Sequence, residues 1–565
     1  MGTSGADLDA SHASEMLLPR PRRSRMESNG KGIVAANALK GEPPASALSS
    51  GRTTPIPSDA PPSTQATSSV RKQIRAQNKS RLFPTIDYAP RVSHFDPRSE
   101  YTNFRGFFVL FWISLAIMAI TAILRSLKET GYPLNVSQWS LFTENIGELA
   151  LSDLLMAAST VLCLPLHRLY MSGSSILRWS KSGIVIQAIF EGMWLVFWVC
   201  WPFLRTWTWT AQVFFTLHIL SLFMKMHSYA FYNGHLLETR HRLLGLDSPL
   251  AAASTSATES AAVRYPSAWS EKMPPDGRRP SKEINVNGIV HSAAVEQLRE
   301  DLALELTSPL GRISYPANLT YLNFVDYLLC PTLCYELEYP RMPTRDYMNL
   351  FYKSLAVFGC IFLLTVTSEE FVIPVLAESS ARLHMMPPPT LSEQALILAE
   401  TISGLLFPFL INFLLVFLVI FEYLLGAFAE ITGFADRHFY DDWWNSRDWL
   451  EFSRQWNIPV HHFFRRHVYA ALSRPVPLSD AKPPTSRPVA TAITFFVSAI
   501  AHELVMGCIT KKLRGYGFVM MMMQIPIVMV QRHPLVRGRT LLNNVLFWCS
   551  MILGLSMMCA LYVLV

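Results

Sequence analysis

A histidine interrupts an apolar stretch near the C-terminal end of the chain. His502 lies in residues 498–504, which read SAIAHEL. A charged side chain inside a membrane span costs about 2.5–3.5 kcal/mol on insertion scales. Because of this cost, an ionisable residue in a span indicates a functional role. Imidazole has an ordinary pKa of about 6.5 and suits a general base at neutral pH. We predict that His502 is such a base; a neutral histidine hydrogen-bonded between helices is the alternative.

Asn457 is the second candidate for a catalytic side chain. Its amide could donate a hydrogen bond to a developing oxyanion without adding a charge to a low-dielectric site. Asn457 precedes Ile458-Pro459, and proline favours the first helical turn, so a helix cap is the alternative. His461 lies four residues after Asn457 and can share a helical face with it. We therefore predict His461 as a supporting residue of the same site.

Residues 439–445 combine four aromatic side chains with two carboxylates and an amide, in the order FYDDWWN. This composition indicates a rigid, amphipathic aromatic platform. Trp and Tyr also gather at membrane interfaces, so an interfacial anchor is the alternative. Asp442 and Asn445 are harder to explain as anchors and favour a role in fixing the local backbone. The next aromatic residues, at positions 449, 452 and 456, share one face of a predicted interfacial helix.

The net charge of the chain limits the kinds of partner that it is expected to bind. Lys and Arg number 49 against 42 Asp and Glu, for a net charge of +7, which suits anionic headgroups or a phosphate-bearing substrate. The basic residues show no base-reading pattern, so nucleic acid is not expected. Arg454, Arg465 and Arg466 offer cations for substrate phosphates or for lipid headgroups. The segment that begins His502-Glu503 lacks the second histidine of a metalloprotease helix. The sequence also contains no Gly-rich phosphate-binding loop that ends in Gly-Lys-Ser/Thr.

The elements that must position these residues are apolar helices. The chain is 50% hydrophobic and 16% charged, where soluble domains carry about 25% charged residues. About nine apolar runs are long enough to cross a hydrocarbon core, which needs about 20 residues, and those near 394 and 515 could be split or merged. They lie near 104–125, 149–171, 184–204, 209–235, 349–375, 394–427, 489–510, 515–531 and 541–565. The sequence therefore predicts an all-α, polytopic membrane protein.

Four regions follow from composition. Residues 1–95 are rich in Ser, Pro and basic clusters and predict a disordered cytosolic tail. Residues 96–236 hold the first transmembrane helices, beginning with an uncleaved signal-anchor. Residues 237–312 form a polar, largely disordered cytosolic insert with a short helix near 293–306, and residues 313–565 form the catalytic core. Lys and Arg crowd the tail and the loops at 168–181 and 445–488, which places these on the cytosolic side.

The motifs resemble one enzyme family. Phe439-Tyr440-x-Asp442-Trp443-Trp444-Asn445, followed by Trp456-Asn457 and His502, is similar to the sterol O-acyltransferase branch of the membrane-bound O-acyltransferases. Diacylglycerol acyltransferases are similar too, but usually carry Arg-Glu in place of Asp441-Asp442. The resemblance runs from about residue 100 to the C-terminus. It implies catalysis by His502 and Asn457 in an intramembrane chamber, and an acyl-CoA site at Phe439, Tyr440, Asp442, Trp443, Trp444, Asn445, Arg454 and His461.

The resemblance also implies an activity. A fatty acyl group would pass from acyl-CoA to the 3-hydroxyl of a sterol, giving a steryl ester and CoA. Attack is direct, so no cysteine or serine nucleophile is needed, and neither a cofactor nor a metal is expected because acyl-CoA is a substrate. The resemblance further implies an endoplasmic reticulum membrane protein that forms a homodimer or homotetramer, and that takes its sterol from the surrounding membrane lipids.

Two other functions stay open at this point. Diacylglycerol could be the acceptor, which would make the product triacylglycerol. A lipid transporter or scaffold without catalysis is the alternative from another class. Transporters place broken, polar helices in both halves of the chain. Here the polar motifs lie toward one end, which favours an enzyme.

Overall fold

The structure is built from helices. The computed structural model describes residues 86, 88–96, 99, 105–133, 144–172, 177–246, 298–309, 311–473 and 485–565. Within these residues, β-structure is limited to three isolated bridges. The all-α, membrane-spanning fold predicted from the apolar runs is confirmed.

The first half contributes four long helices. They are α1 (Arg105–Thr130), α2 (Ile146–Met171), α3 (Trp179–Leu204) and α4 (Trp209–Leu246). The first three are apolar enough to cross a membrane and expose many large hydrophobic side chains, as expected of helices that face lipid. By contrast, α4 is largely buried and packs against α2 and α3. It forms the inner wall of this half.

The second half holds the remaining spans and the short helices between them. These helices are α5 (Tyr321–Leu329), α6 (Tyr347–Leu383), α7 (Leu391–Thr432), α8 (Trp449–Gln455), α9 (Ile458–Phe463), α10 (Arg487–Thr510), α11 (Tyr516–Gln531) and α12 (Thr540–Leu564). A capping box at Thr390 begins α7, and Gly433, in the left-handed region at φ 68°, ends it. The chain then turns directly into the aromatic motif.

Seven described helices are long and apolar enough to cross a membrane, so the predicted count of nine is not confirmed. The run at 209–235 belongs to α4, where several polar side chains bond to other parts of the protein. Lys225 Nζ, for example, donates to the carbonyls of Tyr327 and Cys330 at 3.0 and 2.6 Å. The run at 515–531 forms α11, whose 16 residues reach about 24 Å, short of the ~30 Å hydrocarbon core.

Two predicted disordered regions are described in part. Residues 298–305 are helical, in line with the short helix expected near 293–306, while 247–297 lie outside the described residues. Most of the tail, 1–85, also lies outside them. Residues 88–96 are described, however, and they pack against the loop after α7. The expected boundary at residue 95 therefore falls within an ordered segment.

The largest hydrophobic core lies where the two halves meet. It joins buried side chains of α4 and α7 to Tyr440 and Trp443 of the aromatic motif and to Phe547 of α12. Such a core fixes its members because protein interiors are packed to crystal-like density. The motif is thus held by the centre of the fold.

Candidate active site

The aromatic motif and Asn457 are adjacent in space. Ile458 N donates to the carbonyl of Phe439 at 3.0 Å, and Asp441 N donates to the carbonyl of Gln455 at 2.8 Å. These two backbone bonds pair the start of the motif with the turn between α8 and α9. The structure therefore brings together two of the three features singled out in the sequence.

The motif divides into buried and accessible side chains. Phe439, Tyr440 and Trp443 are 3%, 1% and 1% exposed, so they act on a substrate only through the loop that they hold. The Trp443 ring lies 4.9 Å from the ring of Trp456, centroid to centroid. Of the remaining members, Trp444, Asp441 and Asp442 are half-buried and Asn445 is exposed.

The last helix holds the other side of the motif. Asn544 Nδ2 in α12 donates to the carbonyls of Trp444 and Ser446, at 3.0 and 2.9 Å. Trp548 Nε1 donates to the Trp444 carbonyl at 3.1 Å. Backbone carbonyls that a loop would otherwise leave unpaired are thereby satisfied, which fixes the loop in one conformation.

The buried carboxylate of Glu422, in α7, is hydrogen-bonded to the motif. Glu422 Oε2 accepts a hydrogen bond from the Tyr440 hydroxyl at 3.1 Å, and Glu422 Oε1 lies 3.2 Å from Lys353 Nζ of α6. Glu422 lies in a π-helical turn, Leu418–Leu424, a distortion that is frequent at functional sites. Sequence reasoning missed Glu422, although a carboxylate inside the apolar run 394–427 was a signal that could have found it.

A second missed residue, His94, contacts the two carboxylates of the motif. Its Nε2 lies 3.5 Å from Asp441 Oδ1 and 3.2 Å from Asp442 Oδ1. Among the described residues, these three offer one ligand atom each within 4.8 Å of one another, the spacing of a metal site. The hydrogen bonds and charges of the two carboxylates outweigh burial and raise the pKa of His94 to about 9, so the ring is protonated at neutral pH. We therefore interpret the cluster as an ion pair.

The side chain of Asn457 forms the N-cap of α9. Its Oδ1 accepts a hydrogen bond from Val460 N at 3.1 Å. The cap assigns the two ends of the amide, because only the oxygen can accept that bond. Nδ2 is consequently the end that can donate to a substrate carbonyl. The cap and the donor, offered as alternatives by the sequence, use different atoms.

His502 lies on α10 with its side chain exposed. The exposed apolar residues Phe496 and Ile500 mark the lipid-facing side of this helix. His502 is two residues beyond Ile500, about 200° around an α-helix, so it lies on the opposite side of α10 from Ile500. His502 Nδ1 lies 2.8 Å from the Ser498 carbonyl. Donation from Nδ1 leaves the lone pair on Nε2, as a general base requires.

His502 and Asn457 come from different elements. Helix α10 packs against the π-helical turn Phe464–Tyr469, which follows α9 directly, and so reaches the Asn457 side of the fold. No hydrogen bond or ring contact among the described residues joins His502 to Asn457 itself. A substrate between them would be the shared partner.

Glu503 anchors the histidine helix. Its carboxylate accepts hydrogen bonds from the backbone N–H groups of Arg514, Gly515 and Phe518 at 3.2, 2.7 and 3.1 Å. The Tyr562 hydroxyl of α12 donates to the same carboxylate at 2.7 Å. A carboxylate at the N-terminus of a helix is stabilised by unpaired N–H groups and by the helix dipole. Glu503 thus ties α10 to α11 and α12.

The predicted basic residues separate into two groups. Arg454 and Arg465 are exposed and remain candidates for phosphate contacts. Arg466 is buried, lies 3.1 Å from Glu336 Oε1 and donates to the Tyr335 carbonyl, so the suggestion that it binds phosphate is wrong. Burial and the charges of Arg454 and Arg465 lower the pKa of His461 to about 4, which keeps that ring neutral at pH 7.

Comparison with known proteins places the chain in one group of enzymes. The model of the membrane-bound O-acyltransferase family matches residues 107–564. The probable sterol O-acyltransferase 2 of Schizosaccharomyces pombe is 36% identical over 496 residues, 88% of this chain and 93% of that protein. The sterol O-acyltransferase 2 of Saccharomyces cerevisiae is 32% identical over 82% of this chain and 66% of its own. The diacylglycerol O-acyltransferase 1 of Dictyostelium discoideum matches at 32% over 47% of this chain.

Proposed function

The chain belongs to the membrane-bound O-acyltransferase family, and we propose that it is an acyl-CoA:sterol O-acyltransferase. It transfers a fatty acyl group to the 3-hydroxyl of a sterol, and the products are a steryl ester and CoA. One observation carries the choice of acceptor. Similarity to proteins named sterol O-acyltransferase extends over 82–88% of this chain, whereas similarity to the diacylglycerol enzyme covers 47%.

His502 is the proposed general base. Its Nε2 takes the proton of the sterol hydroxyl as the hydroxyl oxygen attacks the thioester carbon. When the tetrahedral intermediate collapses, the carbon–sulfur bond breaks and the imidazolium returns the proton to the CoA thiolate. General-base catalysis of this kind is worth about 10²–10⁴ in rate. The exposed position of His502, on the side of α10 opposite Ile500, supports this role.

Asn457 is the proposed donor to the thioester oxygen. Negative charge develops on that oxygen in the transition state, and a donor fixed beforehand stabilises it without reorganising. The cap bond from Val460 N holds the amide in one orientation, with Nδ2 as the donating end. This bond supports the assignment because it orders the donor before the substrate binds, so that less conformational entropy is lost during the reaction.

The loop at 439–445 is the proposed acyl-CoA site. Trp444 and Asn445 offer accessible surface, Asp442 is fixed by His94, and the buried Phe439, Tyr440 and Trp443 hold the loop. Arg454 and the neutral His461 complete the set of residues predicted from the sequence. The basic loops on this side support entry of acyl-CoA from the cytosol. The acceptor is proposed to arrive from the bilayer.

The cellular setting is also proposed. The protein is a multi-pass membrane protein, and we propose the endoplasmic reticulum, a cytosolic N-terminus and a homodimer or homotetramer. An epitope tag at the N-terminus should be cleaved by protease added to sealed microsomes. A protected tag would contradict the orientation.

The deciding experiment offers the purified protein both acceptors at once. Labelled oleoyl-CoA is supplied with a sterol and diacylglycerol at equal concentration, and the labelled esters are separated. We expect label in the steryl ester. Label in triacylglycerol alone would identify the diacylglycerol enzyme, and no label in either ester would return the chain to the transporter or scaffold alternative.

A further inference from the structure

Residues 88–96, here called the strap, run from the N-terminal tail across the aromatic motif. Arg91 N donates to the Ala435 carbonyl at 3.1 Å, and Arg437 N donates to the Arg91 carbonyl at 3.0 Å. The Arg91 guanidinium contacts the carboxylate of Asp436, with Nε 2.9 Å from Oδ1. The strap is therefore hydrogen-bonded to the segment that leads into the motif.

The middle of the strap reaches the buried tyrosine of the motif. Ser93 Oγ lies 2.9 Å from the Tyr440 hydroxyl and also donates to Glu422. Ser93 is 7% exposed, so these bonds are shielded from water. The strap, the motif and helix α7 thus share one buried polar cluster.

His94, the next residue, binds both carboxylates of the motif. The residue is 9% exposed, and its ring stacks on His438 at 6.0 Å and lies tilted against Tyr440 at 5.3 Å, centroid to centroid. Asp441 and Asp442 are the acidic groups that face it. Arg91 lies beyond His438, with Nη1 3.4 Å from Nδ1 of that ring. Asp441, Asp442, His438 and Arg91 are thus titratable or charged groups on the motif and the strap that lie around the ring.

We propose that the strap is part of the acyl-CoA site and that His94 is a positioning residue for it. CoA carries several phosphate charges, and two adjacent carboxylates at its site would repel them. An imidazolium between these carboxylates neutralises one charge and fixes both side chains. The inference rests on the proposed function in taking acyl-CoA as the ligand, and it adds a segment that no motif of the family resemblance includes.

The ion pair has a defined pH range. Burial opposes a charged ring, but hydrogen bonds and charges from Asp441 and Asp442 outweigh it and raise the pKa of His94 from 6.5 to about 9. Burial also opposes ionisation of Asp441, yet the bond to His94 lowers its pKa from 3.8 to about 2. The His94 contact is complete below about pH 6.5 and is lost as pH rises through about 9. Asp441 stays ionised throughout that range.

Binding of a non-hydrolysable oleoyl-CoA thioether to the full-length protein tests the proposal. We expect His94→Gln to raise the Kd about tenfold, the equivalent of one charge-assisted hydrogen bond. His94→Lys, which keeps the positive charge, should recover most of the affinity. His384→Gln is the matched control, since His384 is exposed at the end of α6 and should leave the Kd unchanged. An unchanged Kd in folded His94→Gln protein would overturn the proposal.

A titration of the wild type keeps the test valid if the variants fold poorly. The 3′-phosphate monoester of CoA has a second pKa of about 6 and its pyrophosphate has none, so the phosphates do not titrate above pH 8. The wild-type Kd for the thioether should rise about tenfold between about pH 8 and pH 10, as His94 loses its proton. A flat profile would contradict the proposal.

Thioether binding needs no acceptor, so two failures remain distinguishable. Absence of steryl ester alone would reject the proposed function and leave the strap to be judged by its effect on binding. Normal ester formation with binding that is indifferent to His94 would reject only the strap.

Discussion

At the scale of single residues, Asn457 combines a structural bond with a chemical one. Oδ1 caps α9 through Val460 N, which leaves Nδ2 as the donor. Serine also caps helices well, because its hydroxyl accepts the same bond, but it has no amide to donate. Substitution can therefore separate the two functions.

Asn457→Ser should lose catalysis and keep stability. Loss of an oxyanion donor lowers kcat by about 10²–10³. Asn457→Ala should show the same kinetic loss together with about 1 kcal/mol less stability, since the cap is gone. Steryl ester assays and thermal unfolding of purified protein check both. Thr390→Ala removes a cap from α7 and should lower only the stability; full kcat in Asn457→Ser would contradict the donor role.

The residues that sequence reasoning missed differ in kind. Glu422 carries a local signal, a carboxylate inside an apolar run, and the rule that selected His502 applies to it equally. His94 carries none, since it lies in a polar tail and gains meaning only from carboxylates nearly 350 residues away. Contacts of that separation cannot be read from one sequence.

At the scale of elements, Glu503 should control how α10 meets α11 and α12. Its carboxylate accepts three backbone bonds and one from Tyr562. Glu503→Ala leaves these donors without a partner and should cost at least about 2 kcal/mol, because bonds to charged groups are worth about 1.5–3 kcal/mol. Tyr562→Phe removes one of the four and should cost less. Equal melting temperatures for Glu503→Ala and the wild type would contradict the clamp.

Packing between α3 and α4 offers a second test at this scale. A Cβ on Gly234 would overlap the indole ring of Trp179, so Gly234→Ala should destabilise the protein by about 1–3 kcal/mol. Gly192→Ala is the matched control within α3, because a Cβ there meets nothing within 4 Å. Thermal unfolding of both variants measures the difference. Equal stability of the two would show that the helices do not pack as described.

The sequence predicts a membrane-spanning helix correctly where the length of the apolar run alone determines it. Seven predicted runs coincide with helices able to span a membrane, because about 20 apolar residues leave few other structures in lipid. The runs in α4 and α11 were wrongly predicted to span the membrane, for different reasons. Helix α4 buries polar side chains inside the protein, and α11 is too short to span the membrane. The mean hydropathy of a run shows neither the burial of its polar residues nor where its helix ends.

At the scale of the whole molecule, the site is assembled from distant parts of the chain. The strap, α7, the motif and α12 meet in one core, while His502 arrives on a separate helix clamped by Glu503. The motif, Asn457 and His502 could be predicted from the sequence by their residue types. The residues that hold them in place, in the strap, α7, α12 and at Glu503, could not, because these supports depend on tertiary contacts. We expect substitutions in the supports to alter acyl-CoA binding or stability, and those at His502 to alter chemistry.

Steryl ester formation by His502→Ala, purified and compared at equal folded concentration with the wild type and His384→Ala, tests the central claim most directly. We predict at least a 100-fold lower rate for His502→Ala, the lower bound for loss of a general base of about 10²–10⁴, with unchanged melting temperature and oleoyl-CoA thioether affinity. His384→Ala should retain the wild-type rate. An unimpaired rate in His502→Ala would contradict the account.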